Sequence, residues 1–84
     1  MVKRRGDLAW RSVDGQVVGL DLEASCYFSV NATGALLWER LGEEADLEEL
    51  VQLVVDTYAL DADQARHDVT AFLAALSDQG LLAT

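Results

Sequence analysis

At Asn31 the hydrophobic period of this chain changes, and that change limits the folds open to it. Before it, apolar residues fall in short alternating runs: "LAWRSV" at 8–13, "QVVGLDL" at 16–22 and "CYFSV" at 26–30. Alternation of this kind puts successive side chains on opposite faces of a strand. Asp14-Gly15 separates the first two runs and favours a two-residue hairpin turn. "EAS" at 23–25 connects the second run to the third, so the three strands read as an antiparallel meander. In the third strand Cys26, Phe28 and Val30 share one face, with Cys26 expected to be buried as a small hydrophobe, while Tyr27 and Ser29 take the other face.

After Asn31 the period is helical. Asn31 is suited to cap a first helix over about 32–41, with Leu37, Trp38 and Leu41 on one face and Gly42 as its stop. Gly34 weakens that helix, which points to close packing against its backbone. "DLEE" at 46–49 is a capping box for a second helix running to about Tyr58, with Leu47, Leu50, Val51, Val54 and Tyr58 as its apolar stripe. "DADQ" at 61–64 opens a third helix that runs to Gln79 and stops at Gly80, with Ala65, Val69, Phe72, Leu73 and Leu76 facing inward. Strands that precede helices make an α+β class: a three-stranded antiparallel sheet followed by three helices, winged-helix-like, in a single domain over 1–84.

Several functions are excluded by what the chain lacks. Cys26 and His67 are its only cysteine and histidine, in distant segments, so neither a catalytic triad nor a metal-ligand set is expected. No glycine-rich phosphate loop follows a strand, and most carboxylates read as caps or as solvated helix faces. An enzyme is not expected, nor a cofactor. An acyl carrier protein would need a serine for its prosthetic arm, usually after aspartate, and no Asp-Ser pair exists. The net charge of −9 repels polyanions, so nucleic acid and anionic membranes are not expected partners. A DNA-reading third helix would carry cations, whereas this one sets Asp61, Asp63, Asp68 and Asp78 against Arg66. Lys3, Arg4 and Arg5 read as a solvated basic arm. No run is long enough to span a bilayer, and "MVKRRGDLAW" lacks the apolar stretch of a signal peptide, which leaves the cytoplasm as the expected compartment.

The third strand ends the meander, so one of its edges should lack a partner. Residues 25–30, "SCYFSV", carry neither the charge nor the proline that usually blunts an exposed edge. Two readings stand on these residues alone. Either an extended peptide pairs there, or a helix or the amino-terminal arm covers the edge.

The ordered set of motifs resembles the PqqD-like RiPP recognition elements. "GLDLEASCYFSVNATGALLWERL" carries their Leu20-Asp21, an aromatic strand at Tyr27-Phe28, then Val30-Asn31-Ala32-Thr33-Gly34 and an apolar helix. "TYALDADQARHDVTAFLAALSDQGLL" is similar to the stand-alone members of lasso-peptide pathways. Glu23-Ala24-Ser25 stands where the family usually has Gly-Arg in the turn, and Val30 replaces the usual leucine. The resemblance implies a non-catalytic protein that binds the leader segment of a ribosomal precursor peptide. The leader would add as a strand on Ser25, Cys26, Tyr27, Phe28, Ser29 and Val30, in a cleft against the third helix. In lasso systems it typically carries a Tyr-x-x-Pro element. The helix flank bearing Arg66, Val69, Thr70 and Leu73 is expected to line that groove. Arg66 would pair there with a leader acid, or else with Asp63 or another nearby carboxylate. Tyr27 would rest on the solvent face of the sheet, and Trp38 would serve the core. The implied partners are a cysteine leader peptidase and an ATP-dependent macrolactam synthetase. Within the class, the alternative is a peptide chaperone for a radical-SAM enzyme. Outside it, the alternatives are a winged-helix transcription factor and a carrier protein. The open edge could also serve a homodimer.

Overall fold

A computed structural model describes residues 1–83; Thr84, the last residue of the expected 1–84 domain, lies outside the described residues. The element order is β1 (Ala9–Val13), β2 (Gln16–Asp21), β3 (Cys26–Val30), α1 (Ala32–Arg40), α2 (Leu47–Tyr58) and α3 (Ala62–Asp78). This is the expected α+β arrangement, and the winged-helix description holds as an approximation. The strands form one antiparallel sheet in the order β1-β2-β3, and among the described residues β3 pairs with β2 alone.

Local chemistry accounts for the joints. Asp14 and Gly15 both take positive φ, 53° and 78°, which makes the two-residue turn whose twist matches the flanking strands. At the second turn Ser25 adopts φ 55°, and the Asp21 carboxylate accepts hydrogen bonds from the amides of Glu23 and Ala24. Asn31 caps α1 by accepting from the Gly34 amide at 2.9 Å, Asp46 caps α2 through Glu49, and Asp61 caps α3 through Asp63 and Gln64. The return half of each expected capping box is used elsewhere: the Glu49 side chain pairs with Arg40, and Gln64 bonds Asp68. α3 ends in a left-handed Gly80, φ 71°, with Leu81 N–H donating to Leu76 O and Gly80 N–H to Ser77 O. Leu81 and Leu76 are both buried, the apolar contact that accompanies this stop. Gly42 is different. It shows no positive φ, and a side chain there would meet the Arg4 guanidinium at 2.9 Å, so this glycine makes room for the arm rather than stopping the helix.

Trp38 is the centre of the core, fully buried, with Phe28 at 5.1 Å and Trp10 edge-on at 6.0 Å. The Phe28 ring reaches it across β2 because its partner there is Gly19; a Cβ at Gly19 would lie 2.6 Å from Phe28 Cε1. Three sequence expectations need correction. Cys26 is exposed, because at the start of β3 it borders an open recess rather than the packed core. Tyr58 is 42% exposed at the last turn of α2. The basic arm is docked: Val2 pairs with Ala45, Arg4 with Leu82, and Ala83 N–H donates to Lys3 O at 2.7 Å. Arg4 donates from Nε to Trp38 O at 2.9 Å and lies over the Trp10 and Trp38 rings, a cation–π contact. Burial there lowers the Arg4 pKa from its ordinary value.

Candidate functional site: the open edge of β3

Which backbone groups of β3 are free follows from the hairpin. A two-residue turn closes on a hydrogen-bonded pair, here Val13 and Gln16. Alternation then directs the amides and carbonyls of Gln16, Val18 and Leu20 toward β1, and those of Val17, Gly19 and Asp21 toward β3. Their partners Val30, Phe28 and Cys26 are therefore satisfied. The N–H and C=O groups of Tyr27 and Ser29 point the other way, to the open edge. Among the described residues no segment covers them; the amino-terminal arm pairs with 41–45 and 81–83 instead.

α3 forms the opposite wall. It packs chiefly on α2, while β3 packs on β2 and α1, so a groove is left between β3 and α3. Phe28 and Val30 form its floor on one side, with Phe72, Ala75, Leu76 and Gln79 on the other, around a cavity of about 180 Å³. Toward α1 it widens to about 460 Å³ between Asn31, Thr33, His67, Asp68 and Ala71. Toward the β2–β3 turn a third recess of about 370 Å³ lies between Cys26, Tyr27, Asp78 and Leu81. The walls converge at Gly34, where a Cβ would clash with Val30 Cγ1 and lie 2.8 Å from Phe72 Cε1. The close packing that a mid-helix glycine suggested is therefore the meeting point of β3, α1 and α3.

Ser25 through Val30 stand along this edge, but the α3 flank is not the one expected. Val69 is fully buried in the core. Arg66 turns to α2 and pairs with Glu48 at 2.6 Å, both ends well exposed, a contact worth little to stability. Thr70 is exposed and Leu73 packs against the core; neither lines the groove. The facing residues are those around Phe72. Ala71 and Ala75 flank Phe72 as small side chains that leave space beside a strand, and this was the signal available in the sequence. Tyr27, 85% exposed, lies on the solvent face of the sheet, and with Val18 and Leu20 it borders an apolar surface there.

Among the described residues no group of three or more His, Cys, Asp or Glu is placed to hold a metal ion. Nor, among the described residues, is any helix long and apolar enough to cross a membrane.

Comparison with known proteins agrees with this fold. The family model described as coenzyme PQQ synthesis protein D (PqqD) matches residues 16–82. The solved structure of TbiB1 in complex with the TbiA(beta) leader peptide is 31% identical, with a TM-score of 0.87 over 96% of this chain and 94% of that one. A lasso peptide synthetase B1 complexed with the leader peptide is similar in fold, at 23% identity and a TM-score of 0.84 over 99% of this chain and 98% of that one. No curated protein matches. With the family model spanning most of its length and TbiB1 aligned nearly end to end, the chain belongs to the PqqD family, as a PqqD-like RiPP recognition element.

Proposed function

We propose that this protein binds the leader segment of a ribosomally synthesised precursor, of the lasso-peptide kind, as a fourth strand on β3. The observation that carries the reading is the unpaired Tyr27 and Ser29 backbone beside an apolar wall on α3. An added strand would exchange hydrogen bonds with those two residues, giving affinity that is indifferent to side chains. Its residues opposite Cys26, Phe28 and Val30 would face α3, and these set selectivity. The recess around Phe28, Phe72 and Ala75 is small and suits an aliphatic side chain or proline. The two end recesses are wide enough for an aromatic ring, whose burial is worth roughly 1.5–3 kcal/mol. The leader peptides held by TbiB1 and by the lasso synthetase B1 support this reading.

In this proposal the chain acts as one domain in the cytoplasm and performs no chemistry itself. It delivers the precursor to a cysteine leader peptidase and an ATP-dependent macrolactam synthetase, raising the local substrate concentration at both. The test uses the chain's single cysteine. Cys26 is exposed and borders the recess at the start of β3, so a bound leader should shield it. Titration with a fluorescein-labelled TbiA(beta) leader should give saturable binding, and a saturating dose should slow maleimide labelling of Cys26 severalfold. Saturable binding without that protection would put the peptide elsewhere on the surface. Absence of binding both to this leader and to that of the precursor encoded beside the protein would overturn the reading.

A further inference from the structure

The two walls of the groove come from segments with little direct packing between them, and something must hold them at a fixed distance. At the α1 end Val30 and Phe72 converge on Gly34. At the other end the tie is Arg5. Its guanidinium donates to Asp7 (2.8 and 3.0 Å), to Asp21 (2.8 Å), to Glu23 (3.4 Å) and to the carbonyl of Gly80 (3.0 Å). Its backbone N–H donates to Leu81 O at 2.9 Å. One side chain thus joins the arm, the end of β2, the turn before β3 and the end of α3. Asp21, only 4% exposed, is the anchor: the carboxylate that receives Arg5 also holds the turn amides of Glu23 and Ala24. The recess at this end of the groove lies between the segments so joined, with Ala24 and Cys26 on one side and Gln79 and Leu81 on the other.

We propose that Arg5 is a positioning residue for peptide binding, setting the distance between the start of β3 and the end of α3 through Asp21 and Gly80. The proposal rests on the leader-binding reading. Arg5 lies ahead of the span that matches the family model. The fork of a guanidinium can serve a carboxylate and a carbonyl at once; an ammonium reaches fewer partners. Without the cation, a nearly buried carboxylate loses its partner, and the turn must open to hydrate it. The groove then spends part of its time with this end spread, and apparent affinity falls by the fraction still closed.

The experiment measures binding of the fluorescein-labelled TbiA(beta) leader to full-length variants at a temperature where each is folded by circular dichroism. Arg5→Ala is expected to weaken binding roughly tenfold, corresponding to a closed fraction of about one tenth, and Arg5→Lys to recover part of the loss. Leu50→Ala, which opens a cavity on α2 away from the groove, destabilises the fold yet should bind as the wild type does. Should Arg5→Ala not fold, Asp21→Asn keeps the shape of the anchor and should weaken binding roughly threefold by the same arithmetic. Wild-type affinity in Arg5→Ala, or in Asp21→Asn where that stands in, would overturn the proposal and leave the leader-binding reading intact. An equal loss in Leu50→Ala would also overturn it, since the effect would then be general destabilisation. A wild-type protein that binds neither this leader nor that of the precursor encoded beside it would remove both.

Discussion

Ser29→Pro is expected to weaken leader binding roughly 10- to 100-fold while leaving the fold in place, since a leader carbonyl that loses its donor costs about 1–3 kcal/mol. The N–H of Ser29 points to the open edge and makes no bond to β2, so proline removes a donor that folding does not use. Proline is tolerated on edge strands for this reason. The side chain of Ser29 is exposed, so no core contact is lost. Phe28→Pro is the informative contrast. Phe28 is paired to Gly19 and its ring lies on Trp38, so the same change one residue earlier breaks a ladder bond and opens the core. Fluorescence anisotropy for binding and thermal melting for stability separate the two variants. If Ser29→Pro melted as early as Phe28→Pro, the alternation deduced from the Asp14-Gly15 turn would be wrong.

Trp38→Ala is expected to cost about 3–5 kcal/mol of stability, the range for truncating a buried aromatic. Trp38 is fully buried, contacts Phe28 and Trp10, and carries Arg4 over its ring. It therefore joins the sheet, α1 and the amino-terminal arm. Small domains have total stabilities near the low end of about 5–15 kcal/mol, so this one substitution removes much of the margin. Trp38→Phe should cost clearly less. It keeps a ring in place and removes an indole N–H that is buried without a hydrogen-bond partner among the described residues. Urea denaturation measures both, and a loss below about 1 kcal/mol in Trp38→Ala would contradict the assignment of Trp38 as the hub.

What the sequence disclosed was local. Asn31, Asp46 and Asp61 announce helix starts because a cap and its amide partner are two or three residues apart. Asp14-Gly15 announces the first hairpin because the turn geometry depends on those two residues. The lack of any guard against pairing was legible in "SCYFSV", but whether another segment covers that edge was not, since both readings stood on the residues alone. The rotation of α3 was not legible. Its apolar stripe flanks Val69 with Phe72 on one side and Leu73 on the other, and either could have met β3. Packing against α2, a long-range choice, sends Arg66 to Glu48 and Phe72 to the groove. The docking of the arm, expected to be solvated, was not legible for the same reason. Arg5 finds Asp21 sixteen residues away and Gly80 seventy-five away, and no local pattern encodes such a pairing. Its hydrogen bonds also shape its neighbour: by donating to the Asp7 carboxylate, Arg5 holds that carboxyl below the usual carboxylate range. That contribution is present above the ordinary carboxylate pKa and fades as acid protonates the native group.

Residue-resolved amide exchange tests the central claim most directly. In the free protein the amides of Tyr27 and Ser29 should exchange rapidly, while those of Cys26, Phe28 and Val30, bonded to β2, are protected. A saturating leader peptide should slow Tyr27 and Ser29 strongly and change the other three little. Protection of Tyr27 and Ser29 before any peptide is added, or no change at these two residues once it is bound, would contradict the account.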